Sequence, residues 1–142
     1  MIPTTKVSVD CLDVHIGHHE RDVGVRPDGR QYLATPHSDG ALTVHAFPGG
    51  HVDASLDGEK VLPEDDWFDF QAGYVTNELI LVGSVEKEIH LLLSADTLTP
   101  VTRIEYPDGA TRQCISATGR GTWLTLDFVK GRHQVWRLAE GA

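Results

Sequence analysis

The sequence is 142 residues long, and its 21 acidic against 12 basic residues give a formal net charge of −9. That length predicts one domain over residues 1–142, whereas the negative charge excludes nucleic acid and disfavours anionic membranes as partners. No apolar run approaches the ~20 residues of a transmembrane helix and no apolar segment follows Met1, so the expected location is the cytoplasm.

Apolar and polar residues alternate in the first third of the chain, which predicts short β-strands rather than helices. One strand is expected at Lys6–Leu12, and four more are expected in residues 13–57. Turns at Pro27-Asp28-Gly29, Ser38-Asp39-Gly40 and Pro48-Gly49-Gly50 separate them, because these residues favour tight hairpins. The four strands of this first unit are Asp22–Arg26, Gln31–Thr35, Leu42–Phe47 and His51–Leu56.

Two further groups of strands follow, at residues 66–107 and 110–142. Turns recur at corresponding places about every 45 residues, as in the blades of a β-propeller. The chain is therefore predicted to be all-β, with three four-stranded antiparallel blades and Lys6–Leu12 completing the third; a β-sandwich or barrel is the alternative. The strands expected here are Phe68–Val75, Leu79–Val85, Ile89–Ser94, Val101–Tyr106, Arg112–Ala117, Trp123–Val129 and Gln134–Leu138.

The segment DVGVRPDGRQYLATPHSDGALTVHAFPGG has the order strand–PDG–strand–DG–strand–Gly. In this order it resembles blades of bacterial β-propellers in the WD-type and quinoprotein-like superfamily. The sequence lacks the Gly-His and Trp-Asp signatures of WD repeats and the tryptophan-docking pattern of quinoprotein blades, so the resemblance names no specific family. It implies a propeller-like architecture, and no activity follows because propellers host enzymes and passive scaffolds alike.

The number of blades predicts self-association. Three blades are too few to close a ring, since propellers contain ~4–8. The expected assembly is a homodimer in which each chain supplies half of a six-bladed propeller and Lys6–Leu12 crosses to the other chain. The alternatives are a monomeric sandwich or barrel and a fragment of a longer propeller.

A histidine-rich segment is the candidate metal site. Its three imidazoles and one carboxylate are ligands suited to zinc or nickel, and they support the hypothesis of a metal-dependent enzyme or metal-binding protein. Adjacent strand residues point to opposite faces, so a polar loop without metal is the alternative. The candidate ligands are His15, His18, His19 and Glu20.

An acidic connector between the first and second units is the candidate partner-binding site. Its like charges repel and its composition offers little to bury, so residues 57–66 are expected to be exposed and mobile. Trp67 is expected to be partly exposed, whereas Trp123 and Trp136 are expected in the core. The residues predicted to bind a partner with a basic surface are Asp57, Glu59, Glu64, Asp65, Asp66 and Trp67.

No catalytic residue and no cofactor are predicted, because the sequence contains neither a GxSxG elbow nor a phosphate-binding loop. Cys11 and Cys114 lack metal-binding spacing and are predicted to be unbridged. His45 and His90 are expected to be half-exposed on strands. The favoured function is a non-catalytic protein-interaction or binding module. A small immunity or antitoxin-type protein, whose acidic loop caps a basic toxin, is a further alternative.

Overall fold

The computed structural model describes residues 2–6, 24–34, 41–68, 72–107, 113–127 and 130–138, excluding the side chains at positions 5, 6 and 113–115. Within these ranges the chain is all-β apart from one 3-10 turn at Gly58–Lys60. The described residues therefore contain no helix that could span a membrane. The strands are β1 Thr4–Lys6, β2 Gln31–Ala34, β3 Ala41–Ala46, β4 Val52–Asp57, β5 Gly73–Tyr74, β6 Leu79–Gly83, β7 His90–Ser94, β8 Pro100–Glu105, β9 Gln113–Ala117, β10 Thr122–Asp127 and β11 Arg132–Arg137.

Three sheets contain these strands, and the predicted antiparallel, all-β architecture is confirmed. The first sheet has the order β2-β3-β4, the second β1-β8-β7-β6-β5, and the third β11-β10-β9. In the described part of the chain, the strand expected at Asp22–Arg26 is reduced to one bridge, between Val25 and Tyr32. The strand expected at Phe68–Val75 is present as β5 and a bridge from Phe68 to Ser84.

The first strand joins the second sheet, which sequence patterning did not indicate. β1 runs parallel to β8, with Lys6 opposite Glu105. The carbonyl of Pro3 accepts hydrogen bonds from the Arg103 amide (2.6 Å) and the Thr102 hydroxyl (3.0 Å). Residues 7–12 lie outside the described ranges, so their addition to the third sheet stays a prediction.

The second sheet is buried on both faces because β6 and β7 are continuously apolar. Successive strand residues point to opposite faces, so each run supplies two separate cores. The core shared with the first sheet contains Leu33, Leu42, Val44, Ile80, Val82, Leu91 and Leu93. The core shared with the third sheet contains Leu81, Leu92, Ile104, Tyr106, Trp123 and Trp136. The three sheets therefore stack face to face, and the prediction that Trp123 and Trp136 are core residues is confirmed.

The turns that open the three units meet at one end of this stack. The Gly119 amide donates to the Tyr74 carbonyl (2.9 Å), and the Asp28 amide donates to the Asn77 side chain (3.0 Å). Gly119 has a φ of +78°, and a Cβ there would lie 3.0 Å from Cγ of Pro27. Glycine is needed at this position because it permits both the left-handed backbone and the close approach.

Candidate functional site

The acidic connector is a folded loop rather than an extended, fully exposed segment. Asp57 accepts a hydrogen bond from the Glu59 amide (3.0 Å) and so caps the 3-10 turn. The amides of Val61 and Leu62 then donate to the carbonyl of Gly58. Leu62 is buried against the first core. The expectation of an exposed connector is therefore wrong at its centre, because one leucine supplies enough apolar surface to dock it.

Asp66 is the polar residue that fixes the end of the connector. Asp66 is 8% exposed, and its carboxylate accepts hydrogen bonds from the amides of Trp67 (2.9 Å), Glu86 (2.9 Å) and Lys87 (3.2 Å). Burial opposes its ionisation, but the bonds from Glu86, the Ser84 hydroxyl and Lys87 outweigh burial and hold the pKa of Asp66 below its ordinary value. Because these bonds use both carboxylate oxygens, Asp66 positions the loop instead of facing a partner.

Trp67 projects from this fixed backbone. Its side chain is 48% exposed, as predicted from the sequence. Its carbonyl accepts a hydrogen bond from the amide of Val85 (2.9 Å), and Val85 is itself 39% exposed. The exposed acidic residues Glu64 and Asp65 precede Trp67, and exposed Glu86 follows Val85. We call these five residues the Trp67 surface: two exposed apolar side chains and the three exposed carboxylates next to them in sequence.

The structure thus separates the predicted partner-binding residues by role. Glu59, Glu64 and Asp65 are exposed, whereas Asp57 and Asp66 are engaged in caps and turns. The conformation of the loop decides which of these carboxylates are exposed and which are engaged. For Asp57 the sequence signal is its position two residues before Glu59, a spacing that is typical of a cap.

The predicted metal ligands His15, His18, His19 and Glu20 lie outside the described residues, as does Cys11. A metal site there stays a prediction, and so does the unbridged state of Cys11 and Cys114. Among the residues that are described, no group of three or more His, Cys, Asp or Glu side chains is arranged to hold a metal ion.

A second surface, which the sequence analysis missed, is the outer face of the first sheet. Val25, Tyr32, His45 and Val52 are cross-strand neighbours in one row and therefore share a face. Val25 is 51% and Val52 55% exposed, and the Tyr32 and His45 rings stack with centroids 4.8 Å apart. Phe47, which is 61% exposed, lines one pocket together with Val25 and Tyr32. The sequence feature that indicates this surface is Tyr32 beside Leu33. Two adjacent apolar residues of a strand cannot both face the core, so one of them faces outward.

A buried polar cluster ties the second sheet to the third. The hydroxyl of Tyr106 accepts a hydrogen bond from Nε1 of Trp123 (2.9 Å) and is 2.6 Å from Nδ1 of His90. Nε1 of Trp136 donates to the Thr125 hydroxyl (2.7 Å). His90 is 2% exposed, so the expectation of a half-exposed histidine there is wrong. These groups satisfy one another in the core, which fits a structural role.

Comparison with known proteins identifies a similar fold. No protein-family model matches the chain, and no curated protein matches it. Among solved structures, the β-propeller domain of Myceliophteria thermophila Cps50 (Swd1) is similar, with a TM-score of 0.63 and 10% sequence identity. The chain has a propeller-like fold. The match covers 82% of this chain and 37% of that chain, so the propeller-like chain spans little more than a third of its neighbour's length.

Proposed function

We propose that this propeller-like chain is a non-catalytic interaction module whose Trp67 surface binds a protein partner with a basic surface. The observation that carries the proposal is the half-exposed Trp67 indole on a backbone held by Asp66. An indole face attracts arginine and lysine cations, and tryptophan is enriched among residues that dominate binding energy. A side chain on a pre-formed backbone also loses less conformational freedom on binding.

Charge supports the same partner chemistry. Glu64 and Asp65 precede Trp67 closely in sequence and Glu86 follows Val85, and the chain's net charge of −9 attracts a basic partner from a distance. Such steering mainly increases the association rate and weakens as salt is added. The indole contact is less sensitive to salt, so the two contributions can be separated.

Binding of a fluorescently labelled peptide of alternating arginine and glycine residues tests this proposal. We expect saturable binding at low salt, and we expect Trp67→Ala to weaken it about threefold to tenfold through loss of the cation–π contact. Fluorescence anisotropy provides the measurement.

Matched controls distinguish a site from general attraction to an acidic chain. Val101→Ala removes an exposed apolar side chain on β8, and the pair Glu78→Gln and Glu105→Gln removes two exposed charges elsewhere. We expect Glu64→Gln with Asp65→Asn to weaken binding more than that control pair. Equal losses from both pairs, or full affinity in Trp67→Ala, would overturn the proposal.

Self-association through the outer face of the first sheet is the second part of the proposal. Its row of exposed apolar residues matches the way sheets stack within this chain. A second copy can place the outer face of its third sheet there, where Leu124, Leu126 and Val135 are half-buried. Two such contacts related by a two-fold axis form a homodimer with six sheets in a ring. The predicted crossing is wrong at Lys6, which pairs with Glu105 on β8 of its own chain, and it belongs to the same proposal for residues 7–12 alone.

Light scattering on the eluting peak at micromolar concentration tests the homodimer. We expect twice the mass of one chain for the unmodified protein and one chain mass for Val25→Asp, because a buried unpaired carboxylate in a sheet contact is costly. Val101→Asp, at an exposed valine outside this face, should retain the double mass. A single-chain mass for the unmodified protein refutes the homodimer.

A further inference from the structure

A cleft opens at the end of the stack where all three units meet. Its volume is about 430 Å³, within the range of small-molecule sites. One wall comes from the turn before β2, another from β5, and the third from the turn between β9 and β10. The lining residues that matter here are Arg26, Pro27, Tyr74, Thr118, Gly119 and Arg120.

The charged side chains that line the cleft are cationic, although the chain as a whole is acidic. Arg26 and Arg120 both line it, and no carboxylate is among its lining residues. Arg26 forms ion pairs through Nε with Asp28 (2.8 Å) and through Nη1 with exposed Asp96 (3.7 Å). Within the described part of the chain, the Arg120 guanidinium has no carboxylate within 4.0 Å. The donors of the Arg120 guanidinium are thus available to a ligand.

Backbone hydrogen bonds hold the cleft open in one shape. The Gly119 and Gly121 amides donate to the Tyr74 and Val75 carbonyls, at 2.9 Å and 2.8 Å. The amide of Arg120 donates to the Thr118 hydroxyl (3.1 Å), which fixes the turn that carries this arginine. A ligand therefore meets a pre-organised site, which reduces the entropic cost of binding.

We propose that this cleft binds the oxyanion group, carboxylate or phosphate, of a small organic ligand. A guanidinium presents parallel N–H donors that match two oxygens of a carboxylate or phosphate. Arg120 supplies this pair of donors, and Arg26, which is ion-paired with Asp28 and Asp96, lines the same cleft. Pro27 and the methyl of Ala117 give the cleft an apolar surface for the rest of the ligand. This site is separate from the Trp67 surface, which attracts cations.

Separate titrations with inorganic phosphate and with citrate, at constant ionic strength set by chloride, test the inference. We expect saturable shifts of the Gly119 and Gly121 amide signals in ¹H–¹⁵N spectra, with a dissociation constant of about 10 mM or below for at least one probe. The tighter probe identifies which oxyanion the site prefers. No saturation by either probe, or shifts spread evenly over the chain, overturns the proposal.

Charge-matched variants complete the test. Arg120→Gln should weaken binding about tenfold or more, because a hydrogen bond to a charged group is lost. Arg103→Gln, which removes an exposed arginine on β8 away from the cleft, should leave it unchanged. Unchanged dispersion of the remaining amide signals in Arg120→Gln shows that it is folded. Equal weakening by both variants refutes a specific site.

Discussion

Replacing Tyr106 by phenylalanine is expected to lower the free energy of unfolding by about 2–3 kcal/mol, because two buried polar groups lose a hydrogen-bond partner. The hydroxyl removed is 2.9 Å from Nε1 of Trp123 and 2.6 Å from Nδ1 of His90. Trp123 is 0% and His90 2% exposed, so water cannot replace the lost bonds without opening the core. Guanidinium chloride unfolding measured by tryptophan fluorescence determines the change.

Tyr32→Phe is the matched control. It removes the same atom from a half-exposed ring on the outer face of the first sheet, and both variants are compared in the Val25→Asp background, in which no second copy covers that face. We expect a change within about 0.5 kcal/mol, as for a surface substitution. Similar losses in the two variants would show that the polar cluster adds nothing beyond the aromatic ring.

Replacing Asp66 by asparagine is expected to cost about 1–3 kcal/mol at neutral pH, because a charged acceptor for three amides becomes a neutral one. Asparagine also turns an NH₂ group toward an amide donor. Asp65→Asn is the control, since Asp65 is exposed and has a φ of +64°, which asparagine tolerates. We expect that control to change stability by less than about 0.5 kcal/mol.

The pH dependence of the Asp66 effect follows from its lowered pKa. Stability contributed by a carboxyl with a depressed native pKa is present above the unfolded value of about 3.9 and is lost as pH falls through the native value. The difference between the unmodified chain and Asp66→Asn should therefore be constant near neutrality and diminish below about pH 4. A difference that is the same at pH 7 and at pH 3 would contradict an ionised Asp66 in the native state.

Local sequence determined where most strands lie along the chain. Asp-Gly and Gly-rich turns mark where strands end, and Gly29 and Gly131 adopt the positive φ that such turns need. Alternating residues give β2 and β3 one buried face, whereas the apolar runs of β6 and β7 are buried on both faces of their sheet. These features depend on residues close in sequence, and the propeller-like architecture follows from their repetition.

Tertiary structure alone decided which side chains meet. Asp66 faces amides twenty residues away, and Tyr106 joins His90 to Trp123 across two sheets. The parallel pairing of β1 with β8 and the convergence of Arg26 with Arg120 arise in the same way. Turn chemistry and strand periodicity act over a few residues and carry no information about such partners. Side chains that are far apart in sequence form these contacts only when the stacked sheets bring them within about 3–4 Å of one another.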